Sequence, residues 1–176
     1  MLNIIEGPEA VTRMVKQCIT KELTPEGLLS DVETFVPSYR SDDEIEEPCI
    51  WLFEQETTSA SGKGTLSDKL ELQTPFDFYC IVYDEDDIEQ SEIKGKNLAA
   101  RIAACIAKNH NRVLKEDTMI QGLKPVFESL SPVGFIEDED LGEKVPITKL
   151  RINFTYYVDW KICCRFQNQN NNINGD

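Results

Sequence analysis

Leu70, Leu72, Phe76, Phe78, Cys80 and Val82 recur at every second position, with Thr74 the polar break in the row. Glu71, Gln73, Asp77, Tyr79 and Tyr83 fall in the intervening places. Side chains alternate faces along an extended chain, so this spacing predicts a long strand with one buried face. Asp84, Glu85, Asp86 and Asp87 follow, and then Leu98, Ile102, Cys105 and Ile106 return at helical spacing. The pattern predicts a helix over 88–109. Asp87, with Gln90 three residues on, has capping-box spacing, and the neighbouring carboxylates suit the positive helix end. Ala99, Ala100, Ala103, Ala104 and Ala107 keep that helix slim, which allows close approach to a sheet.

Upstream, Pro8 stands at a helix start, and Val11, Met14, Val15, Cys18 and Ile19 form one apolar stripe, predicting a helix over 8–23. Thr24, Pro25, Glu26 and Gly27 stop it. The stretch 28–47 has no clear period: Leu28, Leu29, Val32, Phe35 and Val36 suit the edge of a core, and its acids must be solvated. Pro48 opens a strand over 49–55 that is apolar on both faces. The polar tip 57–65 (TTSASGKGT) then joins it to the long strand as a hairpin arm. Pro75 cannot donate a ladder hydrogen bond, so the long strand is expected to be at an edge there, or bulged. A further strand is predicted over 125–136, bent at Pro132-Val133-Gly134, before an acidic turn at 137–140. From Leu150 to Cys164 apolar and polar residues alternate without a miss, the pattern of a half-buried antiparallel strand. The Asn-rich tail 167–176 has no packing residues and is expected to be disordered.

The elements together predict an α+β fold: a mostly antiparallel sheet with a long hairpin arm, packed by two main helices. A chain of 176 residues with 40% hydrophobic and 28% charged residues is ordinary for a single globular domain, here 1–166 with 58–64 as a protruding tip. The charge is not ordinary. With 18 basic against 32 acidic side chains, the formal charge of -14 argues against general nucleic-acid affinity and against docking on anionic membranes. Residues 1–20 lack a basic segment leading into an apolar one, so no signal peptide is expected, and no apolar run is long enough to span a membrane. The six cysteines lie on apolar helix faces or in strand patterns, which predicts buried, reduced thiols in a cytoplasmic setting.

No residue set announces catalysis, and no cofactor or metal is expected. Gly62, Lys63, Gly64 and Thr65 resemble a phosphate loop only in composition, because the required glycine is absent at position 57 and the segment joins two strands. The acids at 84–87 and 137–140 miss calcium-loop spacing and read as a helix cap and a solvated turn. His110 suits the negative end of a helix. Adjacent Cys163 and Cys164 point to opposite strand faces and cannot easily share a zinc ion. Tyr79, Tyr83 and Tyr157 on polar strand faces mark either a protein interface or a second packed layer.

The order helix, strand, polar arm, long strand, helix, strand, long strand resembles the tail terminator family of tailed bacteriophages. The likeness rests on the stripe from Val11 to Leu23, the Pro48-Cys49-Ile50-Trp51-Leu52 strand after an acidic linker, and the arm. It continues through residues 76–83 (FDFYCIVY) into the Ala-rich helix, and ends in the last strand, so that it covers most of 8–165. The match is of pattern, without fingerprint residues; the long acidic segment 24–47 and the Asn-rich tail depart from compact members. The resemblance implies a hexameric ring in the neck of a virion assembled in the host cytoplasm. Such a ring ends tube polymerisation and contacts the tail tube protein and the head connector. DNA would pass it without specific binding, and an acidic lumen fits that role. On this reading Ser59, Ser61, Gly62 and Lys63 of the arm, with Pro75, Tyr79 and Tyr83, are expected contacts to neighbouring subunits or the tube, and Asp84, Glu85 and Asp86 line the passage. Another head–tail neck or completion protein fits the same pattern. A different class is an acidic DNA mimic that blocks a DNA-binding protein, although the acids cluster in linkers and turns instead of spacing evenly along one face.

Overall fold

Two helices lie on one side of a six-stranded, mostly antiparallel sheet, an α+β fold. The computed structural model describes residues 7–37, 46–59, 69–84, 87–113, 120–138 and 143–159. The chain runs α1 (Gly7–Thr20), β1 (Thr34–Val36), β2 (Cys49–Glu54), β3 (Thr58–Ser59), β4 (Lys69–Ile81), α2 (Ile88–Val113), β5 (Ile120–Asp138) and β6 (Glu143–Asp159). Across the sheet the order is β1-β2-β4-β6-β5, with β3 paired to β4 beyond the end of β2. Only β1 runs parallel to its neighbour. The arm tip beyond Ser59, the residues of the last strand after Asp159 and the tail 167–176 lie outside the described residues.

The predicted periodicities are the ones that build the core. Val11, Met14, Val15, Cys18 and Ile19 of α1 and Leu98, Ile102, Cys105 and Ile106 of α2 are all buried. They face Ile50 and Leu52 of β2, Phe76, Phe78 and Cys80 of β4, and Leu150, Ile152, Phe154 and Tyr156 of β6. Phe76 and Phe154 meet edge to face, with ring centroids 5.4 Å apart. Thr74, the polar break in the β4 row, is buried and shares a 2.9 Å hydrogen bond with the Tyr156 hydroxyl, so each polar group satisfies the other.

Several boundaries differ from the sequence reading. The last strand begins at Glu143, upstream of the clean alternation, and the strand predicted over 125–136 spans Ile120–Asp138. Its register slips three times against β6, the last slip between Pro132 and Gly134. β4 pairs with β6 along its whole length, so Pro75 is open on one side only, the local edge or bulge expected from its missing N–H. The interruption lies in the other neighbour: Glu54 is opposite Phe76 and Thr58 is opposite Gln73, and the intervening residues step away from the ladder. Gln55 still donates to the Pro75 carbonyl at 2.9 Å, so the missing N–H of Pro75 falls in that bulge.

Of the five alanines expected to keep α2 slim, Ala99 is buried in the core and Ala103 packs against it. Ala100, Ala104 and Ala107 are exposed, and the close approach is at Gly95, where a Cβ atom would stand 2.8 Å from the Thr148 hydroxyl oxygen of β6. Of the stretch without a period, 28–47, residues 28–31 continue the turns that begin at 21 and 34–36 form β1, while 38–45 lie outside the described residues. Glu22 anchors those turns: its buried carboxylate accepts from Lys108 Nζ at 2.8 Å, Asn109 Nδ2 at 2.7 Å and the Leu28 amide at 3.1 Å. Arg101 adds a second tie, to Asp31 and to the Leu28 carbonyl. Gly27 fits beneath because any Cβ there would lie 2.2 Å from the Glu22 carbonyl oxygen.

Candidate functional site

The residues singled out from sequence divide between two places. Pro75 and Tyr79 belong to the row of β4 that faces away from the helices, Tyr83 packs on the same side just beyond the end of β4, and Asp84 sits in the turn that enters α2. Ser59 closes the short β3 and is exposed. Ser61, Gly62, Lys63, Glu85 and Asp86 lie outside the described residues.

At the entry to α2, Asp87 accepts a 2.8 Å hydrogen bond from the Glu89 amide, as an N-cap does. The Ser91 hydroxyl accepts from the Asp84 amide at 2.8 Å, and the Asp84 carboxylate pairs with Lys94. Asp84 is therefore tied into the helix start, with a cation offsetting its charge.

The face turned away from the helices is neither bare nor simply polar. At one end Val36, Cys49, Ile81 and Val145 form a second small apolar cluster, with Trp51, Tyr83 and Ile147 packed against it. Tyr83 is thus part of a packed group. Tyr79 is half-buried, edge to face with Phe53 at 5.1 Å and under the Lys149 ammonium at 5.6 Å. Of the two meanings open to these tyrosines, packing within the protomer accounts for the contacts they make.

Beside Tyr79 lies a feature the sequence reading missed. Asp77, 1% exposed, receives two hydrogen bonds from the Arg151 guanidinium, at 2.6 and 2.7 Å, and one ion pair from Lys149 at 2.9 Å. Burial pushes the Asp77 carboxyl up, but the hydrogen bonds from Arg151 and Lys149 outweigh it and hold the group below the ordinary aspartate value. The available signal was register: Asp77 is directly opposite Arg151 across β4 and β6. Asn153, next along β6, is buried and donates to Glu128 at 2.8 Å, while its Oδ1 has no hydrogen-bond partner among the described residues.

At the β1/β2 edge of the sheet a notch of about 220 Å³ opens between α1 and β2, lined by Thr12, Lys16, Pro37, Leu52, Phe53, Glu54 and Phe76. It exists because β1 covers β2 only from Cys49 to Trp51, leaving the rest of that strand's edge unpaired by β1. Thr12 donates to Glu54 at 2.8 Å across it. At the opposite edge β5 exposes Val126, Phe127, Leu130, Val133 and Phe135.

The four described cysteines are not activated thiols. Cys18, Cys49, Cys80 and Cys105 are buried; burial pushes Cys18 and Cys49 up to about 12 and Cys105 to about 11, and raises Cys80 as well. Such thiols stay protonated at neutral pH. Cys163 and Cys164 lie outside the described residues. His110 sits in the last turn of α2, with Nδ1 at 2.9 Å from the Ile106 carbonyl, a local helix contact. Among the described residues no helix is long and apolar enough to cross a membrane. The chain matches no protein-family model and no curated protein.

Proposed function

We propose that this chain is a structural virion protein that caps the tail tube of a tailed bacteriophage as a hexameric ring. It ends tube polymerisation there and presents the joining surface to the head connector. The observation that supports this best is the one-sided build of the protomer. Both helices cover one face of the sheet, while the long edge strand β5 presents a row of apolar side chains to solvent. Exposed apolar side chains gathered on one edge strand suit a partner surface, and ring subunits bury such side chains against their neighbours. The charge of -14 fits the same role, since a passage that repels phosphate lets DNA slide through it.

The experiment is reconstitution. The purified chain is incubated with polymerising tail tube protein and imaged by negative stain, with masses followed by light scattering. Rings at tube ends and arrested tube growth are expected. A chain that stays monomeric in the presence of tube protein sinks the reading, whereas rings that bind the connector but not the tube assign the protein to another position in the neck. The charge also favours a second reading, a DNA mimic. Displacement of DNA from a basic partner in a competition assay would select it instead.

A further inference from the structure

The two edges of the sheet are complementary, and we infer that they meet in a head-to-tail contact between copies of this chain. Phe127 of one copy fills the notch between α1 and β2 of the next.

The knob and the notch lie in the same cross-strand row. Phe127 is opposite Ile152, Ile152 is opposite Phe76, and Phe76 is opposite Glu54. The next row on the same face runs Leu130, Leu150, Phe78 and Leu52. Each row begins with an exposed apolar residue on β5 and ends at a residue lining the notch. Both ends face the helix side of the sheet, because Ile152, Phe76, Leu150 and Phe78 belong to the core beneath α1 and α2. Side-by-side placement of two protomers with their sheets in line therefore brings Phe127 to the height of the notch. The notch holds about 220 Å³, room for one aromatic side chain, above the buried Leu52 and Phe76.

Charge selects a second copy as the occupant. Two chains of -14 repel, so they can meet only where the charge is least. From Val126 to Phe135 the sequence VFESLSPVGF carries a single charged residue, Glu128, next to the knob. Lys16, which forms no salt bridge with a described residue, stands at the notch. The Glu128 carboxylate turns to Asn153 on the opposite face of the sheet, and the notch is lined by one cation, Lys16, and one carboxylate, Glu54, so both halves of the contact are near neutral on an otherwise strongly acidic chain. A contact between different surfaces is heterologous and closes into a ring when the rotation per copy allows it. The inference deepens the ring reading and rests on it for closure alone, since the contact itself needs no tail tube.

Phe135, equally exposed at 57%, provides the control: its partner is Pro146, one residue beyond the last β6 partner of β4, so its row does not reach the notch. The test is light-scattering mass of the full chain at high concentration for wild type, F127E, K16W and F135E, with circular dichroism to verify folding. Wild type and F135E are expected at multiples of the 20.1 kDa protomer. F127E and K16W are each expected at the protomer mass. Mixed in equal amounts, they should form a species of twice that mass and nothing larger, because one intact knob meets one intact notch. Where F127E fails to fold, Phe127→Ser serves in its place. Retention of the wild-type mass by F127E, or an equal effect of F135E, overturns the contact while leaving the ring reading intact. A wild-type chain that remains at the protomer mass also overturns the contact, whereas the ring reading falls only when the chain stays monomeric with tube protein present.

Discussion

β4 and β5 are both long strands that pair with β6, and both carry phenylalanines, yet their surroundings are opposite. Phe76 and Phe78 of β4 are fully buried, while Phe127 and Phe135 of β5 are 57% exposed. The cause is lateral position. A helix is about 10 Å wide and strands lie about 4.8 Å apart, so each helix covers roughly two strands. Two helices therefore cover four strands of the β1-β2-β4-β6-β5 path, and of the fifth only the start, Ile120 and Leu123, reaches the core. The other face follows the same rule, because Asp77 of β4 is covered by its own cations whereas Val126 of β5 stays in solvent. A strand's pattern records which side chains share a face, and its place in the sheet decides whether that face is dry.

The largest expected difference is in the core row. Phe78→Ala should lower unfolding free energy by about 3–5 kcal/mol in urea titrations, the usual loss for a buried phenylalanine. A cost below about 1 kcal/mol would mean that β4 is no better covered than β5, and the contrast would collapse.

Asp77→Ala comes next. It leaves Arg151 and Lys149 together without their carboxylate. Full burial of an uncompensated charge costs about 3–5 kcal/mol, and the partial exposure of both cations reduces the expected loss to roughly 2 kcal/mol. Acid reaches related groups without a substitution. Hydrogen bonds from Lys108, then Asn109 and the Leu28 amide, pull the Glu22 carboxyl down to about 2. A lowered carboxyl contributes stability that is complete above its unfolded-state value and is lost as pH falls through its folded-state value. For Glu22 that window runs from 4.5 down to about 2. Thermal midpoints should therefore fall across this range in wild type and fall less steeply in Glu22→Gln; identical slopes would remove Glu22 as the clamp on the helix layer.

Gly95 tests what holds α2 over β6 instead of further out over β5. Gly95→Ala gains about 1 kcal/mol of helix propensity but forces a methyl group against the Thr148 hydroxyl, a crowding that costs about 1–3 kcal/mol. The net loss should be about 1 kcal/mol, and Thr148→Ala in the same chain should recover it. An additive pair would place the constraint on the helix elsewhere.

Much of the fold was legible because its signals are local. The stripes of α1 and α2 and the alternation of β4 and β6 are written at fixed spacings, and burial follows them over most of each described element, with Leu70 and Leu72 half-buried. What escaped depends on partners distant in sequence. Three residues of β1 cannot show a period, and their pairing with β2 is parallel. Asp77 stands in a polar row and looks solvated until Arg151 is placed opposite it. Glu22 reads as an exposed acid at a helix end, although Lys108 and Asn109 of α2 enclose it. Gly95 carried a local signal that the reading of the alanines passed over, since a lone glycine within a helix often marks a close approach. The notch and the β5 ridge had no local signal, because both arise from where an element stops covering its neighbour.

The smallest expected effect is the one that separates the two strands most cleanly. Phe127→Ala removes an aromatic ring of the same size as Phe78→Ala does, from a strand that also pairs with β6, although with three register slips. In dilute protein, where copies are apart, it should change unfolding free energy by no more than about 0.5 kcal/mol, as surface substitutions do. At concentrations where copies associate, the same substitution should lower the midpoint, because binding to the folded state adds stability that scales with partner concentration. Thermal midpoints of wild type and Phe127→Ala measured over a dilution series check this. Curves that converge on dilution and separate on concentration identify β5 as a strand whose missing cover is another molecule. Parallel curves identify it as an ordinary edge, with its phenylalanines left in water.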